Sequence, residues 1–151
     1  MNVDDIIKHA RERTYMSGID RDKTRVKSTS EIFTPTELVQ EVLDKMPQNE
    51  FVDPSRTFLD NSCGDGQFLS EVLIRKVQNG IDFETALSTI YGVDMMQDNV
   101  DLCRERLLCG RNDLRHIVQT NIVCHNALTY DYSFNGTDKT LNELLIEEQR
   151  A

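Results

Sequence analysis

The sequence predicts an α/β fold in which three parallel strands alternate with flanking helices. Three short stretches are typical of strands, TFLDNS, TIYGVD and NIVCHNAL, and the segments between them carry apolar residues at helical spacing. Strands that alternate with helices are joined by right-handed crossovers and form a parallel sheet. The chain has 151 residues, which is long enough for one domain with a sizeable hydrophobic core.

The pattern of helices and strands divides the chain into three parts. Residues 1–32 are predicted to form an N-terminal helix and a polar arm that is rich in Ser, Thr and charge. Residues 33–134 contain the three strands and form the main domain. Residues 135–151 include TLNELLIEEQRA and form an acidic, helical tail.

Capping signals indicate where the predicted helices begin. In FTPTELVQEVLDKM, Thr34 is expected to cap a helix, with Pro35 at its first position and Glu37 completing a capping box. Asp82 and Asp98 are expected to cap two later helices. The buried stripe of the Thr34 helix is predicted to consist of Leu38, Val39, Val42, Leu43 and Met46.

Net charge and cysteine use limit the possible classes of function. The formal net charge is −9, which disfavours binding of a polyanion over the whole surface. Four basic residues recur at alternate positions and form either a solvated arm or a small DNA-contacting strip: Arg21, Lys23, Arg25 and Lys27. The cysteines and histidines lack metal-binding spacing. No apolar run approaches the ~20 residues that span a bilayer, and the charged N-terminus differs from a signal peptide, so a cytoplasmic protein is expected.

The stretch FLDNSCGDGQFLSEVL, residues 58–73, predicts a strand, a glycine turn and a helix. Gly64 and Gly66 allow tight backbone geometry and let a ligand approach the backbone closely. Dinucleotide-binding turns usually have a third glycine, which this turn lacks. Asp60 at the strand end and Asp65 inside the turn would repel a pyrophosphate and favour a ligand that carries an ammonium group.

Polar residues also follow the other two predicted strands. Asp94 ends the second strand, where a carboxylate can accept hydrogen bonds from both hydroxyls of a ribose, and Asn126 follows the third strand. Ligands of parallel sheets lie beyond the carboxyl ends of the strands, so these residues and the glycine turn should border one site. A ligand with a ribose, a cationic amino-acid end and no phosphate is S-adenosylmethionine (SAM). The alternative for Asp94 is an ordinary helix-flanking residue.

Taken together, EIFTP, FLDNSCGDGQFL, IYGVD and NALTYDY resemble the N-terminal half of the SAM-dependent DNA adenine-N6 methyltransferases. Residues about 31 to 132 follow the order of that family's segments. These segments are Thr-Pro opening a helix, an acid-x-x-x-Gly-x-Gly turn, an acid ending strand two and an Asp or Asn ending strand three. The resemblance implies a Rossmann-like SAM-dependent methyltransferase fold, truncated to three strands, with a role in DNA methylation and SAM as the cofactor.

The resemblance also implies which residues bind the cofactor. They are Phe33, Thr34 and Pro35 at the methionine end, Asp60, Cys63, Gly64 and Gly66 in the turn, Asp94 at the ribose, Met95 against the adenine ring and Asn126 at the adenine edge. The family more often has Asp at the last of these positions, and Asn can still accept a hydrogen bond from the adenine N6 amine. The alternative for Met95 is a plain core residue.

One motif of that family is missing from the sequence. The family's chemistry depends on Asn/Asp-Pro-Pro-Tyr/Phe after the fourth strand, where a polar group receives the target amine and an aromatic ring stacks on the flipped base. None of the three prolines lies beyond residue 54, and DYSF supplies aromatic rings without the proline geometry. Methylation without a partner is therefore not expected, and the catalytic residues are left unassigned.

In the family's sheet, strand four lies beside strand one, so the sequence predicts an uncovered edge at TFLDNS. Such edges recruit partners, and we expect the C-terminal segment, a second copy or a separately encoded chain to cover this one. Three functions stay open. The chain is a SAM-binding domain that methylates nucleic acid with a partner, a protein that binds SAM only to sequester it or to regulate a methyltransferase, or a methyltransferase-like interaction module.

Overall fold

The structure is a computed structural model that describes residues 2–12 and 34–150. The described residues form one parallel sheet in the order β1-β2-β3, with β1 at Phe58–Asp60, β2 at Ile90–Asp94 and β3 at Ile122–Cys124. The helices are α1 Val3–Arg11, α2 Thr36–Asp44, α3 Gln67–Gln78, α4 Phe83–Ser88, α5 Gln97–Leu108, α6 Arg115–Asn121 and α7 Leu141–Arg150, with short 3-10 helices at Gln48–Phe51 and Asn112–Leu114. The α/β class and the three parallel strands predicted from the sequence are confirmed.

Part of the predicted N-terminal region lies outside the described residues. This part includes Phe33, expected beside the cofactor, and the predicted basic strip of Arg21, Lys23, Arg25 and Lys27. The expectations for these residues therefore stay predictions. Within the described ranges, each helix is too short or too polar to cross a bilayer.

Two of the predicted helix starts are wrong by one or two residues. Helix α2 begins at Thr36, and its cap is Pro35 rather than Thr34, because Pro35 is extended (φ −59°, ψ 146°) and its carbonyl accepts the first backbone hydrogen bonds. Helix α5 begins at Gln97 and is capped by Met96 rather than by Asp98. Asp82 does cap α4, because its carboxylate accepts a hydrogen bond from the Thr85 amide at 3.1 Å.

The buried stripe of α2 is narrower than predicted. Val39 and Leu43 are buried, whereas Leu38 and Val42 are 48% and 41% exposed. The reason is that α2 packs mainly against α3, so a single line of residues four apart is covered.

Helices α1 to α6 lie on one face of the sheet. Side chains alternate along a strand, so Phe58, Ile90 and Ile122 point to the first face, where helices α1 to α6 form the main hydrophobic core. Crossovers of one hand that step in one direction across a sheet place their helices on the same side. The second face carries Val93 and Val123, and residues 127–134 cover it with three aromatic side chains.

Candidate functional site

The glycine turn between β1 and α3 has the backbone geometry expected for close ligand approach. Gly64 and Gly66 have φ angles of +53° and +92°, which a side chain would strain. A β-carbon on Gly66 would lie 3.0 Å from the sulfur of Cys103 on α5. Glycine at 66 therefore satisfies both the backbone conformation and the packing of the turn on α5.

A further glycine under the turn is one that sequence reasoning missed. Gly92 lies in β2, and a β-carbon there would come within 3.0 Å of the Cys63 side chain and 2.9 Å of Leu69. The turn and the first residues of α3 thus sit directly on the backbone of β2. The available signal was a glycine inside a strand, which often marks a close approach of another segment.

Asp94, at the end of β2, joins the turn to the start of α5. Its carboxylate accepts hydrogen bonds from the Gly64 amide at 3.3 Å, the Met96 amide at 3.0 Å and the Asn99 side-chain amide at 3.2 Å. An ionised carboxylate offers about four acceptor positions, so about one is left for a ligand. The bond to Gly64 is the longest of the three and is the one that a ligand hydroxyl would most easily replace.

Asp60 lies next to Asp94 at the carboxyl end of β1. One oxygen of Asp60 accepts a hydrogen bond from the Ser62 amide at 3.0 Å. Burial raises the pKa of Asp60 and the nearby charge of Asp94 raises it further, while the Ser62 bond opposes both effects. In the described part of the chain, neither carboxylate has a basic side chain within salt-bridge distance. The two carboxylates therefore form a negatively charged site that a cation would stabilise.

The expectation that Asp65, inside the turn, repels a pyrophosphate together with Asp60 is wrong. Its side chain is 1% exposed and points into the protein, where an oxygen lies 3.3 Å from the guanidinium of Arg106. Arg106 reaches the underside of the turn from α5, and its charge stabilises the carboxylate there. The negative charge that would repel a pyrophosphate thus comes from Asp60 and Asp94.

Arg106 also ties the turn to the N-terminal part of the chain. Its guanidinium donates to the side-chain carbonyl of Gln67 at 2.7 Å and to the backbone carbonyl of Ala10 in α1 at 3.0 Å. Gln67 in turn donates to the hydroxyl of Thr36 at 2.9 Å. This chain of bonds brings the Thr-Pro segment against the glycine turn. Sequence reasoning missed Arg106, because an arginine in a helix is most often on the surface.

Cys63 has a buried side chain, so a ligand could meet only its backbone. The Cys63 amide donates to the Val93 carbonyl at 3.0 Å and fixes the turn on β2. The hydrogen bond with the neighbouring Cys103 thiol, together with burial, holds the pKa of the Cys63 thiol well above its usual value. A thiol in this state is a poor nucleophile.

Met95 and Asn126 lie at the same end of the sheet. The side chain of Met95 is 64% exposed, so the alternative of a core residue is wrong. The amide of His125 donates to the Asp94 carbonyl at 3.0 Å and places Asn126 beside the end of β2. The side-chain oxygen of Asn126 already accepts the Leu128 amide at 2.9 Å, which leaves one acceptor position for a ligand.

Seven of the predicted site residues lie at or directly after the carboxyl ends of the strands: Asp60, Cys63, Gly64, Gly66, Asp94, Met95 and Asn126. Thr34 and Pro35 directly precede α2, whose first residue, Thr36, accepts the hydrogen bond from Gln67. Within the described ranges, no group of His, Cys, Asp and Glu side chains could hold a metal ion. No family model matches the chain, and no curated protein or solved structure is significantly similar to it.

Proposed function

We propose that the chain is a SAM-binding domain of a DNA adenine methyltransferase-like protein, and that any methyl transfer needs a partner. The observation that carries the proposal is the pair Asp60 and Asp94 beside the glycine turn. The two carboxylates lie at the ends of neighbouring strands, and burial and mutual repulsion raise the pKa of Asp60. A ligand with a permanent positive charge relieves that repulsion, whereas a phosphate increases it.

The parts of SAM match the chemistry around this pair. The ribose hydroxyls would donate to Asp94, and the ammonium of the methionine moiety would lie near Asp60. The adenine ring would pack against Met95, whose exposed side chain offers a polarizable apolar surface. Gly64 and Gly66 give the turn the left-handed backbone conformation with which a main chain can approach a ligand closely.

The need for a partner rests on the sequence. The 151 residues contain no Asn/Asp-Pro-Pro-Tyr/Phe motif to receive a target amine and stack on a flipped base. We propose that a partner supplies these groups together with the site for the methyl acceptor. The alternative of a protein that only binds SAM predicts that the cofactor is recovered chemically unchanged in the presence of every candidate partner.

Calorimetric titration of ligand-free protein tests the cofactor assignment. We expect SAM to bind at one site per chain, and 5′-methylthioadenosine, which lacks the amino-acid end, to bind more weakly. Asp60→Asn keeps an oxygen for the Ser62 amide and removes the charge. It should weaken SAM by about tenfold or more, equivalent to ~1.4 kcal/mol, and leave 5′-methylthioadenosine nearly unchanged.

Asp4→Asn serves as the matched control, since Asp4 is exposed on α1 and loses the same charge away from the strand ends. This variant should bind both ligands like the wild type. The proposal is overturned if the wild type gives no heat with SAM, or if Asp60→Asn weakens the two ligands equally.

A further inference from the structure

The outer edge of β1 presents backbone groups that the described residues leave without hydrogen bonds. The amide of Phe58 donates to the Thr89 carbonyl at 2.9 Å, so alternation along the strand directs the N–H and C=O of Leu59 away from β2. No hydrogen bond within the described ranges reaches either group. The side chain of Leu59 is 53% exposed. The edge therefore offers a donor, an acceptor and an apolar side chain at a single residue.

A groove on the second face of the sheet adjoins this edge. It has a volume of about 450 Å³. The groove is lined by Thr57, Leu59, Tyr91, Thr120, Asn121, Ser133 and Phe134. The rings of Tyr91 and Phe134 pack at 4.8 Å and form an apolar wall beside Leu59. Edge and groove are thus parts of one continuous surface.

We propose that a second copy of the chain occupies this surface, with β1 paired antiparallel to β1 of the partner across a twofold axis at Leu59. Two residues that face each other in a hydrogen-bonded antiparallel pair exchange both N–H···O=C bonds. When Leu59 lies opposite Leu59 of the second copy, the outward N–H and C=O groups of both residues are hydrogen-bonded. A twofold interface needs one self-complementary patch, and this edge has that property. The dimer joins two sheets into one of six strands.

The charges along β1 favour this antiparallel arrangement. Near the amino end of the strand, Arg56 pairs with Asp53 at 3.8 Å, and the buried Lys76 ammonium, which donates to the Arg56 carbonyl at 2.5 Å, leaves this end with a net positive charge. The carboxyl end carries Asp60 and Asp94. Antiparallel pairing sets the basic end of one strand beside the acidic end of the other. It thereby offsets part of the repulsion between chains with a net charge of −9.

The size of a stable interface explains why the groove must take part. Specific dimers bury about 800 Å² per partner, roughly a tenth of a small protein's surface, and the surface of this chain is 8475 Å². A strand of three residues covers only a small share of that area. The two Leu59 side chains, flanked by Tyr91 and Phe134 of both copies, supply apolar contact on the second face.

Sedimentation velocity of the full chain over a range of concentrations tests the dimer. The wild type should move from 17.4 kDa towards twice that mass as the concentration rises. Leu59→Pro removes the outward N–H, a change that an edge strand tolerates, and also removes the leucine side chain from the interface. Leu59→Lys places a charge on the axis. Each variant should weaken dimerisation by at least about tenfold.

Leu145→Lys is the matched control, because Leu145 is 51% exposed but lies on α7. It should dimerise like the wild type. If Leu59→Pro fails to fold, Leu59→Lys and the protection of the Leu59 amide against hydrogen exchange in the concentrated wild type decide the question. A wild type that stays at 17.4 kDa at every concentration overturns the proposal. A dimer that both Leu59 variants leave intact overturns it too.

Discussion

The two edges of the sheet differ in whether side chains of the same chain hydrogen-bond the outward backbone groups. At β3, the guanidinium of Arg104 donates to the Ile122 carbonyl at 3.1 and 2.6 Å, and the carboxylate of Asp138 accepts the Cys124 amide at 3.0 Å. Arg104 and Asp138 also bond to each other at 3.2 Å. At β1, no described side chain performs either role for Leu59.

The difference shows how a chain can close an edge without another strand. The guanidinium and the carboxylate present a donor and an acceptor in the positions where a neighbouring strand would present N–H and C=O. A bare edge strand usually exposes unpaired N–H and C=O groups to which another chain can pair. Arg104 and Asp138 occupy these groups at β3, so this edge does not offer them. The β1 edge is left available, and it is the edge at which a partner can add a strand.

Removing the Arg104 side chain from the edge of β3 should have the largest effect on stability. Arg104→Met removes both bonds to Ile122 and leaves Asp138 without its partner at a site where Arg104 is 6% exposed. We expect the free energy of unfolding, measured by urea denaturation, to fall by ~3 kcal/mol, chiefly because the buried Ile122 carbonyl loses its charged donor. Arg115→Met breaks the pair with Glu105, in which both side chains are more than a third exposed, and should cost less than ~1 kcal/mol. Equal losses in the two variants would contradict the assigned role of Arg104.

Opening the β3 edge at one hydrogen bond should have a smaller effect. Asp138→Ala removes the acceptor of the Cys124 amide, so hydrogen exchange at that amide should accelerate by about tenfold, as expected for the loss of one hydrogen bond worth ~1.5 kcal/mol. Asp138→Asn keeps the acceptor oxygen and should exchange nearly as slowly as the wild type. If the Ala and Asn variants exchange alike, the carboxylate does not protect this edge.

The smallest effect on stability is expected from a change in pH, which acts on the bond between His125 and Glu143 that holds α7 beside β3. His125 bonds the carboxylate of Glu143 at 2.9 Å, and this bond raises the pKa of His125 above 6.5 and lowers the pKa of Glu143 below 4.5. The stabilisation from His125 is complete below pH 6.5 and is lost as pH rises through the raised pKa. The stabilisation from Glu143 is complete above pH 4.5 and is lost as pH falls through the lowered pKa.

Amide exchange along α7 should therefore be slowest between about pH 4.5 and 6.5, after correction for the intrinsic rate. His125→Gln keeps a polar side chain without a titrating charge, and its profile should be flat across the upper limit of this window. A wild-type profile that matches that of His125→Gln would show that the contact with Glu143 does not hold the helix.

The sequence was sufficient for those parts of the fold that follow from local pattern. The alternation of strands and helices, the glycine turn and the cap at Asp82 depend on residues close together in the chain. The widths of buried stripes, such as that of α2, depend on which helices lie nearby, and Leu38 and Val42 were misjudged for this reason. The cap at Asp98 was misplaced because Asp94, at the strand end, holds the start of α5 instead.

The carboxylates at the strand ends could be predicted from the sequence, whereas the contacts that hold the glycine turn in place could not. Asp60 and Asp94 stand directly after apolar runs, so their position at the strand ends was readable. The burial of Asp65 against Arg106 could not be predicted, because the sequence around a charged residue does not show which distant residue it will pair with. Gly92 could have been inferred from its place inside a strand, whereas the pairing of Arg104 with Asp138 depends on residues 34 positions apart.

The hydrogen bonds by which Arg106 holds Gln67 and Ala10 form late during synthesis of the chain. Gln67 and Arg106 are 39 positions apart, and Ala10 and Arg106 are 96 apart, so the glycine turn leaves the ribosome well before the side chain that fixes it. At translation speeds of about 5–20 residues per second, the nascent turn waits roughly 2–8 seconds for this partner. A ribosome-bound chain stalled before Arg106 should thus lack the fixed turn. The pocket is completed only when α5 has emerged from the exit tunnel.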